Sequence, residues 1–134
     1  MVDGQQVIRS FLEQSPFALL AGLEVRELAD DRAVLAMPFD ERLVTGGRTV
    51  HGGAISTLID TAATAAAWAT EFEAMPTRWG TASLSVNFLR AADGQDLLAE
   101  AAVVRRGRSL SYCTVEARDA HGPVATGIVA YALA

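Results

Sequence analysis

The sequence predicts an α+β fold in which one antiparallel sheet wraps a long buried helix. Two observations carry that expectation. From Ala54 to Ala69 the chain is rich in alanine and has one charged residue, Asp60. After residue 80 the pattern changes from helical to alternating and stays so to the end. One helix and one sheet are then what remains to cover each other's apolar faces. A length of 134 residues suits one domain, taken as residues 1–134, and is short for two.

The elements follow in order. Asp3 with Gln6 resembles a capping box, and Val7, Ile8, Phe11 and Leu12 recur at helical spacing, which gives an amino-terminal helix over 1–15. Ser15-Pro16 is read as its end. "LEVRELADDRAVLAMPF" (23–39) reads as two strands around a turn at Asp30-Asp31. Residues 40–49 form a polar loop. The central helix is expected over about 53–72, and since no face of it is clearly polar, it is expected to be buried all round. "EAMPTRWG" (73–80) breaks it. In "TASLSVNF" (81–88), Ala82, Leu84, Val86 and Phe88 alternate with Thr81, Ser83, Ser85 and Asn87. Three more strands run through "LLAEAAVVRR", "SYCTVEARD" and "VATGIVAYAL", with turns at "RGRS" and "AHGP" between them.

Composition narrows the chemistry. The formal net charge is −5, and the longest basic cluster is "RRGR" (105–108), so nucleic-acid binding finds little support. All 11 basic residues are arginine, which removes lysine Schiff-base chemistry and the phosphate-loop lysine. Two histidines and one cysteine argue against a zinc site, and no metal is expected. No Gly-x-Ser-x-Gly elbow is present. Neither a membrane span nor a secretion signal is read, and the lone Cys113 makes the cytoplasm the expected compartment.

"GGRTVHGGAISTLIDTAATAAAW" (46–68) raises the functional question. Gly52-Gly53 opens the helix, where unpaired N–H groups and the positive dipole end suit an anion or an oxyanion; a tight entry turn is the plainer explanation. Asp60 is the sharper feature. A carboxylate buried alone costs several kcal/mol. Hydroxyls of Ser56 and Thr64 offer it partners, a subunit interface is another setting, and a base or nucleophile in a cleft is a third. Asp60 lies eight residues beyond Gly52, a separation of roughly 12 Å along a helix. A base and an oxyanion donor must both sit about 3 Å from one reacting group. Two such helices antiparallel across a two-fold axis meet that condition, so the motif itself argues for a dimer.

"HGGAISTLIDTAATAAAW", "TASLSVNFLRAA" and "RRGRSLSYCTVEARDAHGPVATG" together resemble the hotdog-fold acyl-CoA thioesterases, in the phenylacetate-degradation-type branch with His-Gly-Gly and a following Asp. The likeness runs from about Leu23 onward. It implies an antiparallel sheet around a long central helix, with active sites shared across a dimer and commonly a tetramer. By position it implies that the Gly52 N–H polarises the thioester carbonyl and that Asp60 of the neighbouring subunit is general base or nucleophile. Thr81 falls where relatives orient the water or the carboxylate. His51, with Gly53, would shape the turn rather than move protons. Relatives often carry Asn six residues before the His; here that position is Thr45. No cofactor is implied, because coenzyme A belongs to the substrate.

Arg90, Arg105, Arg106 and Arg108 are candidates for the CoA phosphates, or simply solubilising turn residues. Trp68, Phe72 and Phe88, with Met75 and Trp79, are candidates to line an acyl or aryl pocket, or plain core. Cys113 is read as a small core residue and His121 as an exposed turn residue. The leading function is hydrolysis of an acyl- or aryl-CoA thioester. A hotdog hydratase or dehydratase and a non-catalytic acyl-CoA-binding protein are the alternatives, and only the last tolerates loss of Asp60.

Overall fold

The computed structural model describes residues 1–134. Ten strands and three α-helices follow one another as β1 (Val2–Asp3), α1 (Gly4–Gln14), α2 (Pro16–Ala21), β2 (Glu24–Ala29), β3 (Arg32–Met37), β4 (Val44–Gly46), β5 (Thr49–Val50), α3 (Gly52–Trp68), β6 (Glu71–Phe72), β7 (Trp79–Phe88), β8 (Leu97–Arg106), β9 (Leu110–Asp119) and β10 (Gly122–Leu133). Six strands form one antiparallel sheet in the order β2-β3-β8-β9-β10-β7. The alternating segments read from the sequence are all present, and the sheet wraps α3 as expected.

Alanine governs how closely helix and sheet approach. Ala62, Ala63, Ala66 and Ala67 of α3 are fully buried, with Leu58 and Ile59 beside them. Leu35, Met37, Leu97, Ala99, Ala101, Cys113 and Val129 cover them from the concave face of the sheet. A Cβ at Gly127 would stand 2.6 Å from Ile59 Cγ2, so glycine is what lets β10 close on the helix there. Cys113 is buried in this layer, and burial pushes its thiol up to about 11.

Four local expectations are corrected. Ser15-Pro16 does not end the helical region but starts α2: Ser15 caps it, Pro16 occupies the first turn, and Gly22 at φ 73° closes it. The central helix stops at Trp68, not near residue 72. Arg106 Nη1 donates to Ala67 O at 2.9 Å, satisfying a last-turn carbonyl, while the Asp31 carboxylate holds the guanidinium at 2.7 Å. Glu71 and Phe72 then pair with Asp3 and Val2 as a small separate sheet, so Phe72 is a strand residue. The loop over 40–49 contains a 3₁₀ turn (Glu41–Leu43) and the short hairpin of β4 and β5.

The fourth correction concerns the faces of α3. Nine of its residues are buried. A polar stripe nevertheless runs along it through Gly53, Ser56, Thr57, Asp60, Thr61 and Thr64, none of them buried. Those positions recur at three- and four-residue spacing and share one side of the helix. The alanine between them masks this face in the sequence.

Candidate active site

Helix α3 begins at a histidine cap. His51 has extended backbone (φ −62°, ψ 135°), and its Nδ1 accepts the Gly53 N–H at 2.7 Å. The backbone N–H of His51 donates to Leu43 O at 2.7 Å, which ties the cap to the loop before it. With the Gly53 donor taken, the Gly52 N–H is left without a partner in the protein. Gly52 lies under the ring of Phe88, whose Cζ would be 3.2 Å from a Cβ placed there.

One carboxylate stands further along the polar stripe. Asp60 Oδ1 accepts the Thr81 hydroxyl at 2.6 Å. Strict alternation would aim Thr81 away from the helix, together with Ser83 and Ser85. The β7–β10 register instead shifts once: Ala130 pairs with Ser83, but Tyr131 pairs with Thr81. This β-bulge inserts one residue and turns Thr81 to the helix side. Ser56 and Thr64, the partners expected from spacing, make no hydrogen bond to Asp60. Thr57 and Thr61 bond back to the carbonyls of Gly53 and Thr57 within the helix.

The flank of this site is unfinished in a single chain. β7 is the sheet's edge strand, so one row of its N–H and C=O groups is unpaired. Leu84 pairs with the buried Val129 and Phe88 with the buried Ala125, which turns both side chains to the helix side. They remain 41% and 54% exposed, although the Phe88 ring packs on Gly52 at the start of α3.

Known proteins resemble this arrangement in both sequence and fold. The thioesterase superfamily model matches residues 47–126, which include His51, Gly52, Asp60 and Thr81. A Halobacterium salinarum protein with an inferred esterase name is 32% identical over 116 residues, covering 84% of this chain and 76% of that protein. The chain belongs to the thioesterase superfamily. A thioesterase family protein of Silicibacter pomeroyi has the same fold, with a TM-score of 0.88, 27% identity and 97% of each chain covered. So has the E. coli PaaI protein from the phenylacetic acid degradation operon, with a TM-score of 0.85, 21% identity, and 98% of this chain and 94% of that one covered. The hotdog fold is thereby shown, and membership supports thioester hydrolysis as the general class of reaction.

Within this hotdog frame the remaining candidates separate. Thr45 is exposed on β4 and makes no side-chain hydrogen bond. Arg90 is tied to Asp119 by both terminal nitrogens, at 3.0 and 2.6 Å, and also donates to Gly122 O. Arg106 is the α3 cap described above. Arg105 and Arg108, at the β8–β9 turn, form no ion pair. Trp68, Phe72 and Trp79 are one aromatic group, with centroids 5.6 Å apart for Trp68–Phe72 and 5.9 Å for Trp68–Trp79. Phe88 is not part of it and lies at the other end of β7, over Gly52. Tyr131 is a residue that sequence reading missed: its buried hydroxyl accepts from Trp68 Nε1 at 3.1 Å. Only its register opposite Thr81 across the bulge exposes that role, and sequence carries no signal for it.

Proposed function

We propose that this chain hydrolyses an acyl- or aryl-CoA thioester at sites shared between two copies, with Asp60 as general base or nucleophile. The observation that carries the proposal is the Asp60 carboxylate, bonded to Thr81 on the one uncovered stripe of an otherwise buried helix. Gly52 and Asp60 are separated by roughly 12 Å of helical rise, too far to act on one carbonyl within one chain. Joining β7 to the β7 of a second copy about a two-fold axis extends the sheet and covers Leu84 and Phe88. It also lays the polar stripes of the two helices together, so that Asp60 meets the partner's Gly52.

In that arrangement the partner's Gly52 N–H donates to the thioester carbonyl oxygen and stabilises the charge that develops there. Asp60, oriented by Thr81, takes a proton from water as its oxygen attacks the carbonyl carbon. The C–S bond then breaks, and the thiolate leaves and is protonated. Direct attack by Asp60 would instead give a mixed anhydride, which water cleaves in a second step. His51 holds the Gly53 N–H and leaves Gly52 free; with Nδ1 accepting that bond, its neutral ring carries the proton on Nε2 and has no free nitrogen to act as the base of a hydratase. Arg105 and Arg108, having no internal partner, are assigned to the CoA phosphates. Thr45 is assigned to the substrate-side loop. A homotetramer, built by pairing the outer sheet faces that bear Ile128 and Tyr112, and a cytoplasmic location that suits a lone thiol belong to the same proposal.

Thiol release from a panel of acyl- and aryl-CoA thioesters, with wild type and Asp60→Asn compared at matched folding, tests the reading. Turnover by wild type and a fall of about a hundredfold or more in the variant is the expected result. If both proteins bind the thioesters and neither turns any over, a non-catalytic acyl-CoA-binding protein is the better account.

A further inference from the structure

Two cavities adjoin α3, one near each end. The first, of about 460 Å³, lies between α2 and the start of the helix, with Phe17 and Leu20 on one side and His51 and Ala54 on the other. The second, of about 260 Å³, lies between α1, the later part of α3 and β7. Its polarity is one-sided. Thr81, the partner of Asp60, stands at one end with Thr64, one helical turn beyond Asp60. The rest of the wall is mainly hydrocarbon and aromatic: Trp68, Trp79 and Met75, Ile8 and Phe11 of α1, and Tyr131, whose hydroxyl is taken by Trp68 Nε1.

Resting on the thioesterase reading, we propose that this second cavity holds the acyl part of the substrate and that α1 is its end wall, with Phe11 limiting the length of acyl group accepted. A thioester is polar at the carbonyl and apolar beyond it, and the cavity has the same gradient, with its polar end at Thr81, which bonds Asp60 just outside it. Trp68 and Trp79 meet edge to face, which presents ring faces and edges to a bound aromatic group. Met75 is 48% exposed and Trp79 53%, so apolar surface gathers at the opening, while Phe11, itself 55% exposed, closes the α1 side with its inner edge.

The end wall is fixed rather than loose. Gly4 N donates to Thr70 O at 2.9 Å, and Val2 and Asp3 pair with Phe72 and Glu71, so the start of α1 is fastened to the segment that follows α3. A Cβ at Gly4 would collide with the backbone oxygens of Trp68 and Thr70, which is why α1 can lie this close. Ile8 is 2% exposed and anchors the helix in the core. The space so bounded accepts an aromatic ring or a short chain, and a long-chain fatty acyl group exceeds it.

The test compares full-length wild type, Phe11→Ala and Leu20→Ala, measuring kcat/KM over straight-chain acyl-CoAs from acetyl to palmitoyl together with phenylacetyl-CoA. Phe11→Ala is expected to raise the long-to-short ratio of kcat/KM about tenfold or more, as for methylene-sized changes in an apolar pocket. Leu20→Ala is expected to leave that ratio as in wild type. An unchanged ratio in Phe11→Ala, or a shift confined to Leu20→Ala, overturns the assignment in favour of the cavity beside α2. If wild type cleaves no thioester at all, the failure belongs to the thioesterase reading, and binding then judges the cavity. Both of the chain's 2 tryptophans line it, so titrating the free acids should change their fluorescence, with longer acids gaining affinity in Phe11→Ala. No fluorescence response to any acid overturns the cavity assignment.

Discussion

The Thr81 hydroxyl reaches Asp60 at 2.6 Å only because β7 carries an extra residue between Thr81 and Ser83. Without the bulge, Thr81 would point to the outer face of the sheet. The carboxylate would then have only helical hydroxyls nearby, and these are committed to α3 carbonyls or make no bond to it.

A test of that bond needs substitutions that keep the strand. Thr81→Val preserves the β-branched shape and removes the hydroxyl, while Thr81→Ser keeps the hydroxyl. A hydrogen bond to a charged group is worth about 1.5–3 kcal/mol, so Thr81→Val should lower kcat by a factor on the order of ten to a hundred. Thr81→Ser should recover most of the loss in a stopped thiol-release assay. Equal defects in the two variants would mean that the hydroxyl does not matter.

Sharing of the site between subunits can be tested by complementation. Proline at position 52 removes the N–H at the first helical position, which proline suits, and His51 already has the extended backbone that a following proline needs; the half-exposed Phe88 ring must shift by a few tenths of an ångström to admit its Cβ. Gly52→Pro and Asp60→Asn should each be inactive alone. Refolded together as mixed dimers, they leave one intact site in each heterodimer, so about a quarter of the wild-type rate should return. Sites confined to single chains would give no recovery.

The β7 edge makes a separate prediction about assembly. Leu84→Arg places a charge where a second copy is expected to cover the strand, and should yield a monomer with little or no turnover. Ile128→Arg, on the outer sheet face at a residue 62% exposed, should reduce a tetramer to a dimer that remains active. Sedimentation velocity with parallel activity assays reads both outcomes. An active Leu84→Arg monomer would remove the case for a shared site.

Acid stability should depend on Asp119. Its side chain is 1% exposed, and the Arg90 hydrogen bonds, more than the His121 N–H, hold its carboxyl down to about 2. A carboxyl depressed in the folded state adds stability above its ordinary titration range and loses it as pH falls toward the folded value. Melting temperature in wild type should therefore decline between about pH 4 and pH 2. Asp119→Asn should be flatter across that window, and equal slopes in the two proteins would count against the pair.

Much of this molecule was legible in its residues. Alternation located the long strands because side-chain period and sheet burial coincide there, as in "SYCTVEARD", where Cys113, Val115 and Ala117 all face inward. Asp60 and Gly52 stood out because one charge in an apolar helix and a glycine pair at its start each require a reason. Other features were present but misread. Ser15, Pro16 and Gly22 are a complete set of helix signals, yet Pro16 reads as a stop in the sequence because proline suits a first turn as readily as it ends a helix.

What the sequence determined by itself is the set of local choices: the strand periods, the buried alanine helix, and a carboxylate placed eight residues beyond the glycine that opens it. Tertiary structure alone decided which groups meet. The bulge that turns Thr81 inward, the Arg106 that ends α3 from a distant strand, and the cavity closed by α1 all depend on register and packing between segments far apart in the chain. A period within one strand carries no information about a shift against its neighbour, so these relationships form only when the sheet closes on the helix.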